Sequence, residues 1–319
     1  MLVFYAWLIF ASTQAHLPSN ENPLILYSNQ TRQDIKYVLC QALKKSTLSI
    51  FLSVYGISDP QVIALLGKKT DEKIPIRIEY DPSASANLKK ALPHTIELNP
   101  RKSKGLMHRK IATIDHSQVF LGSANLTTTS LRHHANLILG LYSPELAAFL
   151  EQPNGTSFSF HIADQQGDFF LLPDSKRLCF KRLIEEIGKA HQKIVIAMFT
   201  LTHPAIANAL IQAKQRGIDV FIVVDYYTAK GASKKTLAAM AKEGVNIQLS
   251  QGRELLHHKW AVIDDAVLVM GSANWTKAAF SKNSDFLLFL SPLQSGQLQF
   301  FKNLWGIIES EAVQYNPQS

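Results

Sequence analysis

Hydrophobic and polar positions along this chain fall into blocks of two periods. Short runs of consecutive apolar residues, such as IFLSV (50–54) and FIVV (221–224), alternate with longer stretches such as PQVIALL (60–66). In the longer stretches apolar residues recur at helical spacing. The first kind reads as strands buried on both faces and the second as amphipathic helices. Their order predicts, in each half of the chain, helix, buried strand, helix, buried strand, short helix and strand. IATID and VFLGSA then form two strands joined by a tight polar turn, as do WAVID and VLVMGS. A further strand follows in each half (136–143 and 285–292), and QLQFFKNLWGIIESEAV (297–313) reads as a closing amphipathic helix. The fold class expected is α/β, with a mixed sheet flanked by helices in each half.

The two halves repeat each other. TLSIFLSVYGISDPQVIALL (47–66) matches KIVIAMFTLTHPAIANALI (193–211), with Pro60 and Pro204 offset by 144 residues. The next strands, IPIRIEYD and IDVFIVVD, end in Asp81 and Asp225 at the same offset. MHRKIATIDHSQVFLGSAN and HHKWAVIDDAVLVMGSAN match at 149, so five extra residues are expected around Lys230 to Lys235. The boundary falls at the turn-rich Gln152-Pro153-Asn154-Gly155, giving repeats over 25–152 and 156–315.

Composition narrows the partners. Hydrophobic residues make up 46% and charged residues 18% of the 319, which suits a globular chain and argues against disorder. The net charge of +8 favours polyanions, either nucleic acid or an anionic membrane surface. Residues 1–15, MLVFYAWLIFASTQA, read as a cleaved export signal, an uncleaved anchor or buried first strand being the alternative. Cys40 and Cys179 could pair after export but read as free buried thiols. The adjacent pairs His133-His134 and His257-His258 lack zinc spacing, and no metal site is expected.

The chemistry lies in two motifs. His108-Arg109-Lys110 is followed after four residues by Asp115 and then by Gly122-Ser123-Ala124-Asn125. His257-His258-Lys259 is followed at the same spacing by Asp264 and by Gly271-Ser272-Ala273-Asn274. Such a His-x-Lys-x4-Asp pattern arises by chance at roughly 1 in 10⁴ positions, so two copies in register with an independent repeat are not accidental. On a strand, residues i and i+2 share a face, so His and Lys project together while the residue between points away. An imidazole can attack phosphorus or move a proton, and an ammonium neutralises phosphate oxygens. Ser and Asn in the glycine-led turn can donate further hydrogen bonds to those oxygens.

These paired motifs resemble those of the phospholipase D superfamily over nearly the whole chain after residue 25. The resemblance implies a pseudo-twofold arrangement in which both motifs share one active-site cleft, with no cofactor or metal required. It makes His108 the nucleophile of a phosphohistidine intermediate and His257 the general acid, with Lys110, Lys259, Asn125 and Asn274 on the phosphate and Ser123 and Ser272 in support. Asp115 and Asp264 become structural anchors of their turns. The family also places a carboxylate on the next strand to orient a catalytic His. Here the second half carries Asp285 at that place and the first half carries Asn136, a departure. Asp285 could alternatively pair with Lys282. Its reach, across the axis to His108 or within its own half to His257, decides which imidazole is the better nucleophile.

The expected activity is a metal-independent phosphodiesterase, a phospholipase D acting on phospholipid headgroups. Alternatives are an endonuclease on DNA or RNA, a phosphatidyl transferase or a basic binding module. A monomer without an obligate protein partner is expected, touching an anionic membrane peripherally. Arg101-Lys102-Ser103-Lys104 reads as a basic rim or a solvated loop. Tyr226-Tyr227 reads as packing or as a ligand contact at a strand end, and Trp260 and Trp275 read as core.

Overall fold

The computed structural model describes residues 15–252 and 254–317. Apart from Ala15, the expected export signal lies outside the described residues. The first half builds a seven-stranded sheet from β1 (Leu24–Tyr27), β2 (Ile50–Val54), β3 (Ile76–Tyr80), β4 (Glu97–Pro100), β5 (Lys110–Ile114), β6 (Gln118–Gly122) and β8 (Ile138–Tyr142). Its spatial order is β1-β8-β6-β5-β2-β3-β4, with β2, β3 and β4 parallel and the others antiparallel.

The second half repeats this core with β11 (Lys193–Met198), β12 (Asp219–Val224), β13 (Asn246–Ser250), β15 (Lys259–Ile263), β16 (Val267–Gly271) and β17 (Phe286–Ser291). A hairpin of β9 (Ser157–Ile162) and β10 (Gln165–Leu171) extends one side, β10 pairing with β17 as β1 pairs with β8. The other edge carries β18 (Ala312–Gln314), antiparallel to β13. The closing helix therefore stops at Ser310, short of the expected Val313, because the last residues cover a strand edge that would otherwise be unpaired.

Alternation along the strands explains the unbroken apolar runs. In β5 and β6, Ala112, Ile114 and Phe120 face the first half's own helices, while Ile111, Val119 and Leu121 face the second half. In β15 and β16, Ala261, Ile263 and Val269 face outward to helices, and Trp260, Val262, Leu268 and Met270 face the first half. Each sheet is thus buried on both faces, and the central core lies between the two sheets. Trp260 and Trp275 are both core residues, each 1% exposed. Cys40 and Cys179 are free, buried and in separate cores.

The motif acids hold the hairpins. Asp115 and His116, like Asp264 and Asp265, have φ between 52° and 55°, the left-handed pair that closes a two-residue hairpin. Asp115 accepts from the backbone N–H of Thr47, Leu48 and Ser49. Asp264 accepts from those of His191, Gln192 and Lys193, at 2.8–3.0 Å. Each hairpin is thereby tied to the start of the adjacent strand, β2 or β11, fixing the register in which its His and Lys emerge.

The repeat breaks at one place. Ser85 Oγ accepts from the N–H of Ile57, as Ser233 Oγ accepts from that of Leu201. Ser85 lies four residues after Asp81, whereas Ser233 lies eight after Asp225. Four of the five extra residues therefore fall between Asp225 and Ser233, the stretch that forms the short helix Tyr226–Lys230.

Gly271 packs so close to β17 that an added Cβ would lie 2.2 Å from the carbonyl oxygen of Phe286. Gly271→Ala should destabilise the protein by about 1–3 kcal/mol, since backbone on both sides must shift. A urea denaturation midpoint that does not move would contradict this packing.

Candidate active site

Each motif His is delivered to the other half by the backbone. His108 N–H donates to Ser284 O at 2.7 Å, and His257 N–H donates to Ala135 O at 2.9 Å. The residues after those acceptors are Asp285 and Asn136, which are both fully buried. A parallel ribbon pairs β7 (His134–Ala135) with β14 (Leu255–Leu256), matched across the axis by a bridge between Met107 and Ser284. The halves are therefore stitched together at the motifs themselves.

The side chains follow the same crossing. His108 Nδ1 lies 2.8 Å from Asp285 Oδ1 and His257 Nδ1 lies 3.0 Å from Asn136 Oδ1. A carboxylate can only accept, so His108 carries its proton on Nδ1. Asn136 Nδ2 donates to Ser130 O and His134 O, which turns Oδ1 towards His257 and gives that ring the same tautomer. In both rings Nε2 is left free of the orienting group. Asp285 is held by His108 and Ser272 and does not pair with Lys282, which is exposed.

Ser123 and Ser272 depart from expectation. Ser123 Oγ donates to Asn136 at 2.8 Å and Ser272 Oγ donates to Asp285 at 2.7 Å. Each also accepts from the next strand's backbone. Their hydroxyls brace the orienting residues, because the glycine before each brings β6 or β16 against that strand. Asn125 and Asn274 stand half-buried just beyond, each with an Oδ1 that has no hydrogen-bond partner among the described residues.

Lys110 and Lys259 open β5 and β15, and each Nζ donates to the carbonyl of its own motif His at 2.7 Å. Arg109 and His258 point away, towards Glu79 and Gln30. Lys110 Nζ lies 5.2 Å from the Tyr55 ring centre and Lys259 Nζ 4.9 Å from that of Phe199. The same rings pack edge-on or tilted against His108 and His257, with centroids 5.3 and 5.0 Å apart. Tyr55 and Phe199 lie outside the motifs, and their only signal in the sequence is a shared offset of 144 at the end of matched strands.

Electrostatically the four cationic groups form one set. Burial lowers the pKa of Lys110 to about 7. Burial, then Lys110, lowers Lys259 well below the ordinary range. Burial, then Lys259, Lys110 and His108, lowers His257 well below 6.5. Burial also lowers His108, but Asp285 opposes the fall. For Asp285 burial works against the charged form, yet His108, Lys110 and Ser272 hold it below the usual carboxylate range. Two buried carboxylates, Asp285 and Asp225, act on this set of two Lys and two His, and an anionic ligand would supply further countercharge. Among the described residues, no group of three or more His, Cys, Asp or Glu could hold a metal ion.

The model of the family described as cardiolipin synthase, PLD-like domain, matches this chain over residues 39–153 and 183–305. The chain belongs to the phospholipase D superfamily. It is similar to the mitochondrial cardiolipin hydrolase of Xenopus laevis, 27% identical over 143 residues covering 44% of this chain and 67% of that protein. The human cardiolipin hydrolase is 28% identical, with only 52% of it covered. A phospholipase D of Rickettsia typhi is 26% identical over 189 residues, 56% of this chain and 90% of that one. Among solved structures, the phosphatidylserine synthase of Haemophilus influenzae superposes with a TM-score of 0.74 over 94% of this chain and 89% of that one. At 12% identity that likeness speaks to the fold alone. These relatives support a phosphodiesterase of the superfamily.

Within that superfamily site the orienting pair is unequal, a carboxylate for His108 and an amide for His257. Asn136→Asp should raise the pKa of His257, because a carboxylate favours the imidazolium. Ring-proton NMR titration of the variant would show this, and an unmoved His257 titration would contradict the pairing.

Proposed function

We propose that this protein is a phospholipase D-type phosphodiesterase that cleaves phospholipid headgroups through a phosphohistidine formed on His108. The observation that carries the assignment is the bond from His108 Nδ1 to Asp285, across the pseudo-twofold axis. Attack by Nε2 on phosphorus leaves the ring positively charged, and only His108 has a carboxylate to stabilise that charge and fix the tautomer. His257, oriented by a neutral amide, suits a group that must gain and lose a proton in alternate steps.

Lys110, Lys259, Asn125 and Asn274 would hold the non-bridging oxygens as attack begins. The bound diester is anionic, so it opposes the burial and the cationic neighbours that depress His257 and allows that ring to take up a proton. His257 then protonates the departing alcohol oxygen as the P–O bond breaks. In the second step it accepts a proton from water, whose oxygen attacks phosphorus and releases His108. An export signal over residues 1–15 would carry this activity out of the cytoplasm.

Quenching a labelled reaction in mid-turnover tests the roles. His108→Ala should abolish the phosphoenzyme. His257→Ala should still form it with a nitrophenyl diester, while turnover of natural diesters falls by on the order of 10³-fold or more. Label recovered on the peptide containing His257 would reverse the two roles.

Cationic side chains supply the phosphate's countercharge in this scheme, so turnover should survive EDTA. Activity lost to chelation and restored by a divalent ion would refute it. Parallel assays on phosphatidylcholine, cardiolipin and single- and double-stranded DNA separate the phospholipase from the endonuclease.

A further inference from the structure

Two large apolar side chains stand exposed at the edges of the site, one in each half. Leu106 is 43% exposed although it lies two residues before His108. It is fixed there, its N–H donating to Asn283 Oδ1 and its carbonyl accepting from Ser284 N–H, beside Asp285. Tyr227 is 74% exposed on the helix that the four-residue insertion adds to the second half. That helix is anchored to the site wall by Thr228, whose hydroxyl donates to the carbonyl of Phe199, the residue packed on His257. Neither side chain is needed for the core.

The exposed side chains near Leu106 that lack an ionic partner are lysines. Lys102, Lys104 and Lys282 are exposed and form no ion pair with a described residue, whereas Arg101 is held by Glu79 at 2.6 Å. The backbone bond from Gly105 N–H to Lys282 O brings that third lysine beside the other two. On the Tyr227 side, Lys230 lies 4.6 Å from the Tyr226 ring centre and is also exposed.

We propose that this rim docks the site onto an anionic phospholipid bilayer, with Leu106 and Tyr227 entering the interface and Lys102, Lys104 and Lys282 contacting lipid phosphates. A bilayer offers a layer of negative charge with hydrocarbon beneath it, and the rim presents lysines around a protruding leucine in the complementary order. A nucleic acid would satisfy the lysines but leave Leu106 exposed. The inference rests on the phospholipid reading above and extends it to the source of substrate: lipid is taken from a surface, not from solution.

The test sediments the full chain with vesicles of phosphatidylcholine, with and without phosphatidylglycerol. Wild type should bind only the anionic vesicles. Each lysine near such a surface strengthens partitioning about five-fold, so Lys102→Gln/Lys104→Gln/Lys282→Gln should weaken it on the order of 100-fold. Leu106→Ser/Tyr227→Ser should lose about ten-fold and leave a residue of binding that salt abolishes. Turnover of soluble bis(4-nitrophenyl) phosphate should be unchanged in both variants, which also shows that they fold. Equal binding to zwitterionic vesicles, or wild-type binding by the triple variant, would overturn the proposal. So would binding of DNA but not vesicles by wild type, lost in the triple variant. Headgroup release from a dispersed short-chain phospholipid reads the catalytic assignment alone, so its failure is distinguishable from failure of docking.

Discussion

A buried imidazole can act on phosphorus only if something fixes which nitrogen carries the proton, and here that something comes from the other half of the molecule. His108 takes its orientation from Asp285 and His257 from Asn136. Neither half can therefore complete its own site. The central core, where Ile111, Val119 and Leu121 meet Trp260, Val262 and Met270, holds the two sheets at the separation these crossed bonds require. The glycines that open each Gly-Ser-Ala-Asn turn serve the same end, since only a residue without Cβ lets β6 and β16 approach the strand carrying the orienting group.

The site concentrates positive charge in a place where charge is expensive. Four groups able to carry a proton are fully or nearly buried beside Asp285; the two lysines lower the proton affinity of both imidazoles, and Lys110 lowers that of Lys259. A structural ion-pair network would balance its charges. This one is biased towards cations, as a phosphate-binding site should be. The unequal orienting groups then break the symmetry of an otherwise duplicated device. A carboxylate favours positive charge on one ring, and a neutral amide gives the other no such support.

Much of this was legible in the sequence because it was written twice. The doubled motif and the matched strands follow from spacing that a strand imposes locally, and the structural character of Asp115 and Asp264 was implied by the family resemblance. The exchange of Asp285 for Asn136 was also visible by counting, and it marked the two imidazoles as different. What spacing does not record is which atoms a side chain meets. Ser123 and Ser272 had suitable donors for a phosphate, but tertiary packing turns them onto Asn136 and Asp285. Tyr55 and Phe199 looked like strand residues, and only the meeting of β2 with β5 and of β11 with β15 sets their rings against the motif His and Lys.

The sequence by itself determined the local geometry, since a His and a Lys two residues apart on a strand must share a face wherever that strand goes, and its doubled motif carried the family resemblance that implies the reaction class. Only the tertiary structure decided that Asp285 serves His108 and not His257. The two residues are 177 positions apart, and the choice depends on how two sheets pack face to face across a common core. No local periodicity encodes that choice, because either pairing would leave every strand and helix of the chain unchanged.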